Sequence, residues 1–240
     1  MDRIGSIEDL KACLSTSEAF RARHGRPFII VSYAQSVDGS IASGNRLPIQ
    51  LSGPDSAVLT HQIRAASDAI LIGIGTLLTD DPRLTVRLAE GKNPQPIILD
   101  THLRTPLNAR LVKQSDFSPW IINAKDNRSH RIEALKNAGA TPLPCVTGRD
   151  GKIDLHALMA MLAEMRINSI MVEGGAKVIT SFVHSRLIDQ FIITVSPRLV
   201  GGLPVIDSNG LNLNTNLTLG HVSYQRLGND LIIWTRPDWK

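Results

Sequence analysis

The sequence predicts a three-layer α/β fold, in which helices cover both faces of a mostly parallel central sheet that ends in antiparallel C-terminal strands. Two observations lead to this prediction. Short apolar runs rich in β-branched residues alternate with helix-like stretches between residues 27 and 197, as is typical of parallel strands buried on both faces. Residues 217–237 instead contain two strand-like runs on either side of Gly228 and Asn229, a pair that favours the tight turn of an antiparallel hairpin.

The predicted elements follow one another in order along the chain. Residues 6–24 have the spacing of an amphipathic helix, with Ile7, Leu10 and Leu14 on one face. Apolar runs predict strands over 27–36, 69–75, 95–100, 119–124, 169–174 and 190–197. Between these runs, helices are predicted over 55–68, 130–139, 154–167 and 176–187, the first of them with Asp55 as its N-cap.

The composition is that of an ordinary globular protein, with 240 residues of which 42% are hydrophobic and 20% charged. We expect one domain, 27–240, preceded by a helical extension, 1–26. The low aromatic content of 4% and the dispersed basic residues, with a net charge of only +4, disfavour nucleic-acid binding. Cys13 and Cys145 lie far apart, so neither a disulfide framework nor a zinc site is predicted. Because no apolar run is long enough for a membrane span, we expect a soluble, cytoplasmic protein.

Candidate site residues follow the predicted strands, because parallel sheets bind ligands at the carboxyl ends of their strands. These residues are 36–39, 73–81, 100–101 and 173–177. The last group begins with Glu173, continues with two glycines and opens a predicted helix. This pattern suits either an anion-binding turn or a tight structural corner, and the residues alone leave both interpretations open.

The segment 72–87 is the richest in polar candidates. Thr76 is placed to cap a short helix, residues 80–82 (Asp-Asp-Pro) end that helix, and a polar strand is predicted to run up to Arg87. Together with Arg83, the segment suits a phosphorylated ligand that carries hydroxyl groups. Arginine forks match phosphate geometry, and carboxylates accept hydrogen bonds from sugar hydroxyls.

Several other functional classes are disfavoured by the motifs. Gly73 and Gly75 are followed by Leu78 where the Rossmann fingerprint needs a third glycine. Of the acidic residues that follow the strands, only Asp80 and Asp81 are adjacent, so a metal site is a weak interpretation and no metal is expected. The sequence also lacks the G-x-S-x-G pattern of serine hydrolases. For most of the seven scattered histidines a solvated surface role is predicted; they are His24, His61, His102, His130, His156, His184 and His221.

Four ordered motifs resemble a known family, the reductase of riboflavin biosynthesis. They are YAQSVDG (33–39), QIRAASDAILIGIGTLLTDDPRLTVR (62–87), PIILDTHLRTPLNARL (96–111) and SIMVEGGAKVITSFVHSRLIDQFIITVSPRLVGG (169–202). That enzyme uses NADPH to reduce the ribose of a ribosylaminopyrimidine 5′-phosphate to ribityl. The resemblance implies a dihydrofolate-reductase-like fold, which explains a nicotinamide site without the usual glycine fingerprint. It also implies a homodimer.

The resemblance also implies roles for particular residues. Cofactor contacts are expected from Ala34, Gln50, Thr76, Asp80, Thr101, Gly175, Ala176, Lys177, Val178, Ile179, Thr180 and Ser181, the last seven holding the pyrophosphate through backbone amides. Substrate contacts are expected from Arg64, Leu84, Arg87 and Glu173. Two positions depart from the family pattern, because Ser32 stands where bifunctional bacterial members have lysine and Gln50 stands where an aromatic residue is common. No H-x-E or P-C-x-x-C motif occurs, so the deaminase half of the bifunctional enzymes has no counterpart.

The implied reaction is a hydride transfer to C1′ of the sugar in its ring-opened form, with a proton delivered to the ring oxygen. Asp38, Asp80 and Glu173 are the candidate proton donors, and Glu173 is taken as the candidate catalytic residue. The alternatives are a related NADPH reductase that acts on a pterin or another small heterocycle, and a non-catalytic nucleotide-binding paralogue. Whether reduction precedes or follows deamination stays open at the level of sequence.

Overall fold

The computed structural model describes residues 4–45, 49–114, 117–125, 129–206 and 217–239, so the outermost residues of the predicted extension and domain lie outside the described ranges. The strands are β1 (Phe28–Ser36), β2 (Ser40–Ala42), β3 (Ala69–Gly73), β4 (Gln95–Leu99), β5 (Trp120–Ala124), β6 (Thr141–Cys145), β7 (Ser169–Val172), β8 (Gln190–Ser196), β9 (Leu203–Pro204), β10 (Thr218–Leu227) and β11 (Asp230–Asp238). The helices are α1 (Ile7–Leu14), α2 (Ser17–His24), α3 (Pro54–Ala66), α4 (Ile74–Asp80), α5 (Arg110–Lys113), α6 (Ser129–Asn137), α7 (Leu155–Glu164) and α8 (Ala176–His184). Among the helices in these ranges, none has the length and apolar character that a membrane crossing requires.

The central sheet has the strand order β10-β11-β8-β1-β7-β3-β4-β5-β6, and β2 pairs with β9 in a separate two-stranded sheet. Every neighbouring pair from β8 to β6 is parallel. In contrast, β11 runs antiparallel to β8, and β10 runs antiparallel to β11. The predicted mostly parallel sheet with antiparallel C-terminal strands is therefore confirmed. Strand β1 lies in the middle, paired on both sides with segments from late in the chain.

Helices cover both faces of this sheet, as predicted. Successive residues of β1 point to opposite faces because side chains alternate along a strand. Ile29 and Val31 pack with α7 and α8 in one core. Phe28 and Ile30 pack with α1 and α3 in a second core on the other face. A third core joins β3, β4 and β5 to α4, α5 and α6.

The N-terminal segment forms two helices, so the prediction of one helix over 6–24 is wrong. The break falls at Ser15 and Thr16, whose hydroxyls donate hydrogen bonds back to carbonyl oxygens in the last turn of α1. Such bonds compete with continuation of the helix. The apolar face of α1 is nevertheless as predicted, since Ile7, Leu10 and Leu14 are all buried.

Two predicted helix caps are wrong. Gly53 is the N-cap of α3, and Asp55 lies one position inside the helix, without a capping hydrogen bond, because proline takes the first helical position. Helix α4 begins directly after β3 with Gly73 as its N-cap, so Thr76 lies within the helix. In both cases the N-cap is a glycine with extended backbone. The general preference for polar residues at N-caps does not predict this.

The polar strand predicted up to Arg87 does not form. Residues 82–87 are irregular, and their backbone N–H groups bond to side chains instead of to a neighbouring strand. Val86 donates to Oδ1 of Asn93 at 2.7 Å, and Arg87 donates to Nδ1 of His61 at 2.9 Å. The segment is thus fixed to α3 and to its own loop, and not to the sheet.

Strand β6 was not predicted. It contains Pro142 and Pro144, which remove backbone donors and argue against a strand in sequence terms. The strand lies at the end of the sheet and pairs only with β5 among the described strands. An edge position tolerates proline because one side of the strand needs no ladder partner.

Candidate active site

A cleft of about 440 Å³ opens at the carboxyl ends of the central strands. Eight of the residues predicted for the site line it, namely Ala34, Gln50, Arg64, Thr76, Asp80, Arg87, Glu173 and Gly175. Its wall also contains residues that were not predicted as site residues, among them Ser32, Tyr33, Ser52, Thr60, His61 and Thr194. Burial raises the pKa of Tyr33 to about 12, so its hydroxyl stays protonated at neutral pH. The structure therefore brings together residues that are far apart in the sequence.

The other predicted residues do not line the cleft. The Leu84 side chain is buried in the core beneath α4, and its backbone is left-handed, with φ of 53°. Thr101 follows β4, on the far side of β3 from β7. The remaining six belong to α8, where Ala176, Ile179 and Thr180 are buried and Lys177, Val178 and Ser181 are partly or fully exposed. The cleft is thus bordered by Gly174 and Gly175, which lead into α8, and not by the side chains of the helix.

Two glycines allow α8 to approach the sheet closely. A Cβ atom on Gly73 would lie 2.6 Å from Cγ2 of Val178, and one on Gly174 would lie 2.6 Å from Cβ of the same valine. These distances are far below ordinary contact, so any side chain at either position would displace the helix. Because Val178 occupies this space, the first turn of α8 is held against the ends of β3 and β7.

The first turn of α8 has backbone donors that face no intrahelical acceptor. Gly175 is the N-cap, and its carbonyl oxygen accepts from the N–H groups of Val178 and Ile179 at 3.0 and 3.1 Å. The amides of Ala176 and Lys177 precede these bonds, as is usual at a helix start. A Cβ on Gly175 would come within 3.5 Å of the Thr76 hydroxyl. The turn therefore offers N–H groups and one hydroxyl around a position without a side chain, which suits a phosphate oxygen.

Arg64 and Glu173 bind each other at the floor of the cleft. Nε and Nη2 of Arg64 donate to the two carboxylate oxygens of Glu173, both at 2.6 Å, and Nη1 donates to the Thr85 carbonyl at 3.2 Å. The side chains are only 11% and 17% exposed. Burial by itself lowers the pKa of Arg64, but attraction and hydrogen bonding from Glu173 outweigh it and raise that pKa. Arg64 is thus engaged within the chain, and it fixes the orientation of the Glu173 carboxylate.

Arg87 supplies the positive charge that Arg64 does not. Its Nη1 donates to Oγ1 and the carbonyl oxygen of Thr85, and it has no ion-pair partner within the part of the chain that the structure describes. Burial lowers the pKa of Arg87 most, and the charges of Arg64 and Arg83 lower it further. A bound anion would relieve the repulsion among Arg64, Arg83 and Arg87, so the surroundings of Arg87 suit a phosphate group.

His61 is a cleft residue that the sequence did not reveal. It lies on α3 and is 5% exposed, and its Nδ1 accepts the backbone N–H of Arg87 at 2.9 Å. Burial lowers its pKa to about 4, with further lowering from Arg64 and Arg87 and a smaller opposing effect from Glu173. His61 is therefore an exception to the solvated surface role predicted for most of the histidines.

Two candidate proton donors differ in their surroundings. Asp38 accepts hydrogen bonds from the hydroxyls of Ser36 and Ser40 and from the amides of Val200 and Gly201, and these bonds hold its pKa well below its usual range. It is a structural residue that joins two loops, and it has no proton to give at neutral pH. Asp80 lines the cleft, and burial raises its pKa. In the described ranges, no three potential ligands cluster in a way that would hold a metal ion.

Residues 27–233 match the family model described as RibD C-terminal domain. Two relatives named 2,5-diamino-6-ribosylamino-4(3H)-pyrimidinone 5′-phosphate reductase are similar over most of their length. The protein from Methanothermobacter thermautotrophicus is 31% identical over 87% of this chain and 97% of its own. The protein from Debaryomyces hansenii is 36% identical over 73% of this chain and 77% of its own. The riboflavin biosynthesis protein RibD of Actinobacillus pleuropneumoniae is 29% identical, and the chain spans only 56% of its length.

Solved structures share the fold. The riboflavin biosynthesis reductase Rib7 of Saccharomyces superposes with a TM-score of 0.72 at 24% identity, covering 96% of this chain and 100% of its own. RibD of Acinetobacter baumannii superposes with a TM-score of 0.80 at 23% identity, covering 97% of this chain and 64% of its own. At this level of identity the likeness concerns the arrangement of strands and helices.

Proposed function

The chain belongs to the RibD C-terminal domain family, and on that premise we propose that it is an NADPH-dependent reductase of riboflavin biosynthesis. Its substrate is 2,5-diamino-6-ribosylamino-4(3H)-pyrimidinone 5′-phosphate, or the deaminated aminouracil form, and its product carries a ribityl chain. One observation supports this assignment most strongly. The same cleft contains the start of α8, which suits a pyrophosphate, and the surroundings of Arg87, which suit a second phosphate.

The residues at the helix start fit a dinucleotide. The amides of Ala176 and Lys177 lack intrahelical acceptors, and the position of Gly175 leaves room for a phosphate oxygen beside the Thr76 hydroxyl. Asp80 lines the same cleft, and the carbonyl oxygen of its carboxyl group is suited to accept a hydrogen bond from a ribose hydroxyl. These residues would hold NADPH by its phosphates and its sugar, and the bound cofactor would supply a hydride for the sugar carbon.

The opposite side of the cleft holds the substrate in this proposal. Arg87 binds the 5′-phosphate, because its guanidinium has no carboxylate partner among the described residues. Glu173 is fixed by Arg64 through both oxygens, yet each oxygen keeps a second lone pair. As an ion-paired acceptor it orients the hydroxyls of the opened sugar, which aligns the reacting carbon. We assign delivery of the proton to Asp80, whose pKa is raised by partial desolvation at the cleft although the residue itself is exposed.

The direct test follows NADPH oxidation with the purified pyrimidine substrate and, separately, its aminouracil form. We expect turnover of one of them, and we expect Arg87→Ala to raise KM by about tenfold or more, because hydrogen bonds to charged groups contribute about 1.5–3 kcal/mol. Arg110→Ala is the matched control, since Arg110 is exposed and its ion pair among the described residues is with Asp81. Binding of NADPH and substrate without oxidation would contradict the reductase assignment and favour a non-catalytic paralogue.

We further propose that the enzyme acts as a homodimer in the cytoplasm. Val37 and Leu199 are strongly exposed, and the Val37 amide bonds to the carbonyl oxygen of Arg198, so the two apolar side chains extend from touching loops. Exposed apolar groups of this kind suit an interface. Cys13 and Cys145 are both free, as suits a reducing compartment. Light scattering after gel filtration tests the dimer, and cell fractionation tests the compartment.

A further inference from the structure

His61 has one ring nitrogen with a hydrogen-bonding partner and one without a partner among the residues that the structure describes. Nδ1 accepts the backbone N–H of Arg87 at 2.9 Å. An imidazole nitrogen that accepts an N–H cannot itself carry a proton, so the single proton of the neutral ring resides on Nε2. The tautomer of His61 is thereby set by a backbone group and not by a side chain that could move.

The charges around the ring keep it neutral. Arg64 lies one turn further along α3, Arg87 lies on the irregular segment that follows α4, and Glu173 follows β7. Burial and the two arginines oppose a positive charge on the ring more strongly than Glu173 favours one, which is why its pKa falls to about 4. His61 is therefore not a cation at neutral pH, and it contributes one N–H donor.

Among the described residues no group accepts a hydrogen bond from Nε2 of His61, whose ring borders the cleft. Nε2 is not one of the fully buried polar atoms that lack a partner, so it is open to the cleft, where a ligand can accept from it. The neighbouring Arg87 guanidinium likewise lacks an anionic partner. A single oxyanion beside the two residues would satisfy both.

We propose that His61 is a substrate-binding residue, whose Nε2–H donates a hydrogen bond to the phosphate group of the substrate next to the Arg87 guanidinium. This inference rests on the proposed function, because it takes the ligand of the cleft to be a phosphate monoester. The same ring also positions Arg87, since its Nδ1 holds the backbone of that residue. One side chain thus contacts the phosphate and fixes the residue that neutralises it.

The first test uses the wild-type chain with inorganic phosphate as the probe and needs no cofactor. Long-range ¹H–¹⁵N NMR of the histidine rings is expected to show the Nε2–H tautomer for His61 at neutral pH, with its ring signals shifting as phosphate is added. With sulfate, which stays a dianion, affinity is expected to be constant between about pH 6 and 8, because only a ring with an ordinary pKa near 6.5 would titrate there. An Nδ1–H tautomer, a charged ring, or signals that do not move at saturating phosphate would overturn the inference.

The second test separates the two nitrogens. His61→Asn keeps an acceptor at the position of Nδ1 but has no donor at Nε2, and it is expected to weaken phosphate binding by about tenfold. His61→Gln places an amide N–H near the position of Nε2 and is expected to stay within about threefold of wild type. His156→Asn, on the exposed face of α7, is the matched control. Unchanged phosphate affinity in folded His61→Asn would overturn the inference, and if that variant does not fold, the wild-type NMR result decides.

These outcomes are distinct from failure of the proposed function. A wild-type chain that binds phosphate through His61 but does not oxidise NADPH with either pyrimidine substrate would contradict the reductase assignment alone. A chain that turns over the substrate while the His61 ring is unaffected by phosphate would contradict the role of His61 alone.

Discussion

Glu173→Gln tests whether the Arg64–Glu173 pair stabilises the cleft. Glutamine has the shape of glutamate, but its amide has one acceptor oxygen, so one of the two 2.6 Å hydrogen bonds is lost and Arg64 keeps its charge without a counterion. A hydrogen bond to a charged group contributes about 1.5–3 kcal/mol, and breaking a fully buried pair costs about 3–5 kcal/mol. Because these side chains retain some exposure, we expect a loss of about 2–3 kcal/mol in the free energy of unfolding.

The assay is urea unfolding at neutral pH, supported by thermal unfolding. For a chain of this size a loss of that order lowers Tm by roughly 4–12 °C. The matched control is Glu133→Gln, which breaks the pair between Glu133 and Lys136 on α6, where the side chains are 61% and 53% exposed. We expect that control to cost about 0.5 kcal/mol or less, because exposed pairs contribute little.

A double variant sharpens the test of this pair. If the cost comes from an uncompensated charge, then Arg64→Met combined with Glu173→Gln removes that charge and is less destabilised than the sum of the two single variants. Strictly additive losses, or a Glu173→Gln variant no less stable than the Glu133→Gln control, would refute the reasoning.

Three further predictions concern packing and pH. Leu10→Ala is expected to lower the free energy of unfolding by about 3 kcal/mol, since Leu10 is fully buried; a loss below about 1 kcal/mol in urea unfolding would show that α1 is not part of the core. Gly73→Ala is expected to lower Tm and weaken NADPH binding because its methyl group meets Cγ2 of Val178, and Val178→Ala in the same chain is expected to restore part of the loss. Gly75→Ala, where a Cβ meets nothing within 4 Å, is the control that leaves both quantities unimpaired. His61 has a pKa of about 4 in the folded chain and about 6.5 when unfolded, so the unfolded state binds the extra proton first and stability falls as pH drops from about 6.5 to 4. Urea midpoints across that range are expected to vary less in His61→Asn, and an equal slope in both chains would contradict this assignment.

The central strands were predictable because burial on both faces demands a continuous apolar run. Strand β3 illustrates this, since all five of its residues are buried and its sequence is Ala-Ile-Leu-Ile-Gly. Strand β6 escaped prediction for the opposite reason, because the edge of a sheet does not exclude proline. The break between α1 and α2 also escaped it, since the hydroxyls that cause the break are compatible with a continuous helix in sequence terms.

Part of the lining of the cleft was predictable from the sequence, but the pairings of its side chains were not. Arg64, Arg87 and Glu173 each match a motif, and all three line the cleft. That Arg64 binds Glu173, 109 positions away, depends on which strand neighbours which, and no local pattern encodes this. His61 escaped prediction because its partner is a backbone N–H, which any residue at that position would supply.

The central place of β1 in the sheet has a consequence for synthesis of the chain. Its two neighbours, β7 and β8, are made long after it. At about 5–20 residues per second, roughly 10–30 s separate the emergence of β1 from that of β8. During this interval an apolar strand with two unpaired edges is available to other chains, which is the kind of surface that promotes aggregation. We therefore expect nascent chains to need protection by a chaperone until residue 196 has left the ribosome, and fragments that end earlier to precipitate.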